Sequence, residues 1–216
     1  MQNEAKPDYG TYHHSSKKGS DLIRDHVQQL FNQAFSSTSI ARSSNISILD
    51  VGGGLGFISS IAAEFFNVSR ITCIDTFKDG SLKGSSIERG RKNMELLDLS
   101  GRVSFMEQDI LQIDDRLGKF DLAVSNLVLH NLGKGRFEAY KRIARVLNEG
   151  GVFINGDLFL QSRGGDPFQN DLNKITKFYR VINHFASPES GIGKPYHVMV
   201  LKPLPSQINS RETTRI

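Results

Sequence analysis

The stretch Ile48-Leu49-Asp50-Val51-Gly52-Gly53-Gly54-Leu55-Gly56 constrains this chain more than any other. An apolar run over 46–51 ends in an acid and meets four glycines within residues 52–56. A helical apolar pattern over 55–66 begins inside the turn. Strand, glycine turn and helix in direct succession bring bare backbone N–H groups up to a ligand. A phosphate-gripping loop would close with Gly-Lys-Ser or Gly-Lys-Thr, but Gly56 is followed by Phe57. A dinucleotide fingerprint begun at Gly52 would need its third glycine at 57, where a bulky ring obstructs close helix–strand packing. Taken alone, the turn is equally compatible with a purely structural role.

The rest of the chain places the turn in a sheet. Apolar runs predict strands at 46–51, 69–75, 102–107, 120–125 and 152–159. Helical patterns at 55–66, 86–97 and 135–147 separate them, and Gly150-Gly151 reads as the stop of the third. Asp166-Pro167 reads as the start of a helix reaching about 177. Two last runs, 178–185 and 196–202, flank the turn-rich residues 187–193 and suit an antiparallel hairpin. Helices of ten or more residues between strands imply right-handed crossovers and a parallel sheet covered on both faces. The expected class is α/β, a mostly parallel sheet with its last strand antiparallel.

The flanks are less regular. Residues 1–20 are polar and irregular, yet Tyr9, Tyr12, His13 and His14 are odd companions for a floppy tail. Ser20-Asp21 suits the cap of a helix over 22–35, whose apolar face is Leu22, Ile23, Val27, Leu30, Phe31 and Phe35. Pro203 and Pro205 open a polar tail expected to be loose. At 216 residues the chain suits a single domain over 1–216, with a helical extension at 1–44, a core at 45–203 and the tail at 204–216.

Composition narrows the classes. Hydrophobic residues are 38% and charged residues 23%, which excludes a disordered or membrane-spanning chain; no apolar run approaches the ~20 residues of a membrane helix. The N-terminus has no apolar core of a secretory signal. The lone cysteine, Cys73, cannot form an internal disulfide and reads as a small core residue. The expected location is cytoplasmic. The net charge of +4 leaves an anionic partner such as RNA open. The cations, however, fall in scattered groups such as Lys17-Lys18 and Arg89-Arg91-Lys92, without the interleaved aromatics of a single-strand binder.

Three further features give the turn a ligand. Strand two ends in Asp75, which suits a carboxylate accepting both hydroxyls of a ribose; Thr76 follows it. Strand three runs into Asp109-Ile110, an acid for an adenine amino group beside an apolar side chain for the ring, or simply the cap of the next turn. Strand four ends in Ser125-Asn126-Leu127-Val128-Leu129-His130, polar residues at the carboxyl end where such sheets bind ligands. Asp50 holds either the N–H groups of its own turn or a ligand. Asp121 reads as structural, and Asp157 either faces the site or forms a turn.

This set resembles the class I S-adenosylmethionine-dependent methyltransferases over residues 45–159. The run 50–56 is similar to their first motif, Asp75 to their ribose acid and Asp109 to the acid near adenine. Residues 120–130 and 145–154 are similar to two later motifs. The resemblance implies a Rossmann-like, seven-stranded sheet with helices on both faces. It implies S-adenosylmethionine as cofactor and S-adenosylhomocysteine as product. The cofactor would be held by Asp50, Gly52, Gly53, Gly54, Gly56, Asp75, Thr76, Asp109, Ile110 and Asn126. Within the family, 125–130 resembles ubiquinone/menaquinone and biotin-pathway enzymes, which implies a small-molecule acceptor.

Methyl transfer from a sulfonium is an in-line displacement in which positioning and desolvation supply much of the catalysis. A general base matters when the acceptor arrives protonated. His130 is the candidate, with His13 and His14 as alternatives. Strand four lacks the Asn/Asp-Pro-Pro-Tyr/Phe of the exocyclic-nitrogen subgroup. Asn126 and the absence of an Asp-Asn pair after strand five argue against a metal. Residues 9–35 are expected to cover the cofactor, with Tyr9, Tyr12 and His13 on the acceptor side. An RNA methyltransferase and a non-catalytic scaffold of the same fold are the alternatives.

Overall fold

A computed structural model describes residues 5–13, 15–67, 69–78, 80, 82–160, 165–187 and 195–208. One seven-stranded sheet runs through it in the order β3-β2-β1-β4-β5-β7-β6. Its strands are β1 (Ser47–Val51), β2 (Arg70–Asp75), β3 (Val103–Glu107), β4 (Phe120–Asn126), β5 (Leu147–Leu158), β6 (Tyr179–Ser187) and β7 (Tyr196–Pro203). Pairings from β3 through to β5 are parallel, and β7 runs antiparallel to both β5 and β6. The mostly parallel sheet and its antiparallel last strand are as the sequence implied.

Helices cover both faces, which is why β1 and β4 are buried almost throughout rather than at alternate residues. On one side lie α1 (Lys17–Ser36), α2 (Phe57–Phe65) and α3 (Ile87–Leu96). They pack Phe31, Phe35, Ile58, Ala62 and Met94 onto Ile48, Val124, Ile154 and Val198. On the other lie α4 (Arg136–Arg145) and α5 (Pro167–Ile175). These pack Tyr140, Ile143, Phe168 and Ile175 onto Leu49, Phe153 and Met199. Phe31 and Phe35 are fully buried, each worth about 1.5–3 kcal/mol of transfer free energy. Cys73 is buried in this core, as expected.

Three local expectations need correction. Helix α1 begins at Lys17, because Ser16 Oγ accepts the Gly19 N–H and caps it; Ser20 lies inside the helix, fully buried, and Asp21 is not a cap residue. Gly150-Gly151 does not stop α4, which ends at Arg145 with Val146 as its cap. Both glycines lie inside β5, where β4 advances from Phe120 to Leu122 while its partner advances from Leu147 to Val152. That surplus is a bulge, and Gly150 takes its positive φ of 82°. Residues Pro205–Ile208 form a short helix, α6; the remainder of the expected tail, 209–216, and most of the turn at 187–193 lie outside the described residues. Asp166 caps α5 through the Phe168 N–H with Pro167 at the first position, as expected.

Candidate active site

Strand order reverses beside β1, whose neighbours are β2 and β4. Ligands bind at such a point, beyond the carboxyl ends of the strands. There the chain forms a cavity of about 580 Å³, within the range of small-molecule sites.

The glycine turn forms one wall. Gly52 N and Gly53 N both donate to the Ile74 carbonyl, at 2.8 and 3.1 Å. Gly54 N donates to Asp75 Oδ2 at 3.0 Å, and Asp75 Oδ1 accepts from Phe77 N at 2.7 Å. The turn is therefore strapped to the end of β2, and Asp75 is held against it. Gly52 has φ of 70°, and a Cβ there would stand 2.6 Å from Val128 Cγ1. Gly56 does not line the cavity. It caps α2 in a left-handed conformation, and a Cβ there would meet Met94 and Phe105.

Asp50 does not hold the N–H groups of its turn. Its Oδ2 accepts from Ser59 Oγ of α2 at 2.6 Å, and its Oδ1 is buried without a hydrogen-bond partner. Complete burial pushes its pKa up to about 7, against the pull of Ser59. Thr76, Asp109 and Ile110 line the same cavity. Asp109 caps the turn Ile110–Gln112 through the Leu111 N–H at 2.8 Å, so the structural role left open for it is real and coexists with its place on the wall.

The opposite wall is assembled from distant segments. Residues 8–13 cross the cavity as a strap. Asp8 N donates to Asn93 Oδ1 and Asn93 Nδ2 donates back to the Asp8 carbonyl, at 2.9 and 3.0 Å. Tyr9 Oη donates to Ser60 Oγ at 2.8 Å, and Tyr12 N to Ser20 Oγ at 3.0 Å. Tyr9, Tyr12 and His13 all line the cavity, and burial raises the pKa of both tyrosines. His14 lies outside the described residues. Arg24 of α1 anchors the strap. Its Nη2 donates to the carbonyls of Tyr9 and Gly10, both at 2.7 Å, and its guanidinium lies 4.8 Å from the Tyr12 ring centre. Arg24 is 6% exposed and lines the cavity, and its Nε has no hydrogen-bond partner.

The ends of β4 and β5 complete this wall. Asn126 Oδ1 accepts from Tyr196 Oη of β7 at 2.6 Å. Gly156 leaves room for that hydroxyl, since a Cβ would overlap it. Leu127 then takes φ of 57°, rare for a branched side chain, and its N–H donates to the Gly156 carbonyl at 2.8 Å. The chain so turned returns His130 to the cavity. His130 Nδ1 lies 2.5 Å from Asp157 Oδ1, and its backbone N–H donates to Asp157 Oδ2 at 3.0 Å. Asp157 therefore faces the site side, one of the two readings its sequence context allowed. Asp121 accepts from Ser47 and Asn148 at the other end of the sheet, a structural role. Sequence reasoning missed Arg24 and Tyr196 altogether, because neither stands in a motif. Among the described residues no group of three or more potential ligands could hold a metal ion, and no helix is long and apolar enough to cross a membrane.

Comparison with known proteins agrees with this geometry. The family described as "Methyltransferase domain" matches residues 42–191. No curated protein sequence matches the chain. Solved structures similar in fold include the (4+2)-cyclase SpnF, at 15% identity and a TM-score of 0.65, covering 91% of this chain and 88% of that one. The ribosomal protein L11 methylase from Lactobacillus delbrueckii subsp. bulgaricus matches at 16% identity and 0.61, covering 91% and 83%. The mitomycin 7-O-methyltransferase MmcR matches at 14% identity and 0.57; 86% of this chain covers 60% of its length. Identities this low speak for the fold alone, but the family match covers more than two thirds of the sequence. The chain belongs to the methyltransferase-domain family of S-adenosylmethionine-dependent enzymes.

Proposed function

We propose that this enzyme methylates a small organic acceptor inside the cavity beneath residues 8–13. The observation that carries the proposal is the strap along the cavity. A strap bonded to α1, α2 and α3 lines the cavity through Tyr9, Tyr12 and His13, and Arg24 is the one Lys or Arg among the described residues that line it. That arrangement suits a compact, largely apolar guest better than a polyanion, which calls for an open basic track. The likeness of residues 125–130 to quinone- and biotin-pathway methyltransferases, and a neighbour named for a mitomycin O-methylation, favour the same class. A neighbour named for a cyclase is a reminder that a shared fold does not by itself fix the chemistry.

The residues fit the cofactor. Two buried atoms on this cavity lack partners and are complementary, an acceptor, Asp50 Oδ1, and a donor, Arg24 Nε. They suit the ammonium and carboxylate of an amino-acid end. Gly52, Gly53 and Gly54 let that end lie on the backbone, Asn126 stands beside it, and Asp75 with Thr76 takes the ribose. Asp109 and Ile110 take the base. When bound, S-adenosylmethionine supplies a methyl group on a sulfonium, an activated donor. The protein's part is to hold the acceptor in line with it and to exclude water, the role proposed for the strap.

Calorimetry with S-adenosylhomocysteine tests this reading. The wild type is expected to bind, and Asp75→Ala to bind about 100-fold more weakly, the loss expected from hydrogen bonds to a charged acceptor. Removal of residues 1–13 should weaken both cofactor and acceptor binding. Absence of binding by the wild type removes the cofactor assignment; binding without methylation of any small molecule, RNA or protein makes the chain a scaffold.

A further inference from the structure

The far wall of the cavity has a donor and an acceptor side by side, and together they select an oxygen nucleophile. Asp157 is 2% exposed, and three bonds fix its carboxylate: His130 Nδ1 at 2.5 Å, His130 N at 3.0 Å and Leu158 N at 2.9 Å. A carboxylate at Nδ1 holds the proton there and leaves the lone pair on Nε2. His130 lines the main cavity as well as the small void in which Asp157 sits. Asn126 is oriented in the same way by a neighbour. Its Oδ1 is taken by Tyr196 Oη at 2.6 Å, so its NH₂ edge turns to the cavity, where one of its two N–H groups faces the Tyr12 hydroxyl and the second is left for a guest. Four residues apart, the wall thus provides one N–H donor and one basic nitrogen.

A hydroxyl group matches this pair in a way that an amine or a thiol does not. Its oxygen has two lone pairs: one accepts from Asn126 while the other attacks. A neutral amine has one lone pair, and a bond from Asn126 would occupy the pair that must react. A thiol accepts hydrogen bonds weakly and ionises without help far more readily than a hydroxyl. Resting on the functional reading above, we propose that the acceptor is a neutral hydroxyl compound methylated on oxygen. In this scheme His130 Nε2 is the general base, and Asp157 is the positioning residue that fixes its tautomer. The acceptor oxygen forms its bond to the methyl carbon as the carbon–sulfur bond breaks and leaves its electron pair on sulfur. The hydroxyl proton passes to Nε2, and the resulting imidazolium is stabilised by Asp157 until it loses the proton to water. Among the described residues, the other titratable groups around the small void are Arg136 and Tyr140 of α4 and Asp171 of α5, and those across the main cavity are Tyr9, Tyr12, His13, Arg24, Asp50, Asp75 and Asp109. Arg136 and Asp171 neutralise each other in a bidentate pair at 2.7 Å.

Three matched probes decide the matter: 2-naphthol, 2-naphthylamine and naphthalene-2-thiol, each assayed with a labelled methyl donor from pH 5 to 9. Naphthol is expected to be the preferred substrate, with a rate that rises with pH through one ionisation to a plateau. His130→Gln should lower kcat by about 100-fold or more and flatten that profile. Asp157→Asn should lower kcat and move the midpoint to lower pH, since an imidazolium without its carboxylate is harder to form; the naphthol KM should stay within about threefold. S-adenosylhomocysteine binding by calorimetry should be unchanged in both variants, which also shows that they fold. The proposal is overturned if the wild type binds S-adenosylhomocysteine yet methylates the amine or thiol in preference, methylates none of the three, or if His130→Gln keeps the wild-type pH profile. Loss of S-adenosylhomocysteine binding in the wild type would instead defeat the cofactor assignment beneath it.

Discussion

The two walls of the cavity are built differently. The wall proposed for the cofactor is almost all backbone and neighbours in sequence: residues 50–55 of one turn, strapped to Ile74 and Asp75 at the end of the adjoining strand. The opposite wall is almost all side chains, drawn from α1, β4, β5, β7 and the strap. Its pairs are separated by 27 residues for His130–Asp157 and 70 for Asn126–Tyr196. A wall made of a glycine turn serves any acceptor, because it recognises what every reaction of this kind shares. A wall made of long-range pairs is specific, and changes to the pairs behind it should act through stability.

The largest expected effect follows from that second point. Behind the opposite wall, Arg136 and Asp171 form a buried ion pair with side chains 10% and 7% exposed. Arg136→Met would leave the Asp171 carboxylate buried without its partner and cost about 3–5 kcal/mol in urea unfolding. A variant as stable as wild type would show that this wall does not depend on its buried charges.

Asp50 comes next and belongs to the wall proposed for the cofactor. Its folded pKa of about 7 lies above the unfolded value of 3.8, so the native state keeps a proton that the unfolded chain releases. The stabilising contribution is complete below about pH 4 and is lost as pH rises through 7. Ligand-free stability should therefore fall by about 2–4 kcal/mol across that window. Asp50→Asn should remove the slope while weakening binding of S-adenosylhomocysteine, which separates a group kept for a ligand from one kept for the fold.

Smaller again is the effect of Arg24. Arg24→Met keeps most of the apolar stem but removes the donors to Tyr9 and Gly10. Cofactor affinity should drop about tenfold by calorimetry, near the strength of one hydrogen bond to a charged group, and the strap should become more open to proteolysis. The smallest expected effect is at the edge of the sheet, where His184 Nε2 and His197 Nδ1 lie 3.0 Å apart. Burial, with His184 beside it, pushes the His197 pKa down to about 4. Its contribution is intact above pH 6.5 and shrinks as pH falls toward 4. His197→Phe should flatten that part of the stability profile and leave methyl transfer unchanged.

Where sequence reading succeeded, the signal was local. The glycines, Asp75 and Asp109 stand at strand ends whose spacing sets their positions, and the structure brings all but Gly56 onto one cavity. Gly56 lies off the cavity because alternation along a turn does not say which residue faces it and which receives the packing of the next helix. The boundary of α1 was misplaced because Ser16 and Ser20 are equally plausible caps in sequence; only the burial of Ser20 beneath Tyr12 separates them. Gly150-Gly151 looked like a helix stop because glycine suits both a helix end and a strand bulge, and the pairing with β4 decides between them.

By itself, the sequence determined a parallel α/β sheet, its antiparallel last strand and the place of the glycine turn. Those features follow from periodicity and backbone freedom, which act over a few residues. The tertiary structure alone decided that Asp157 would orient His130, that Tyr196 would pass over Gly156 to orient Asn126, and that Arg24 would hold the strap across the cavity. Such pairs carry no local signature, because a side chain's partner depends on which strands become neighbours, and that is settled only when the whole sheet assembles.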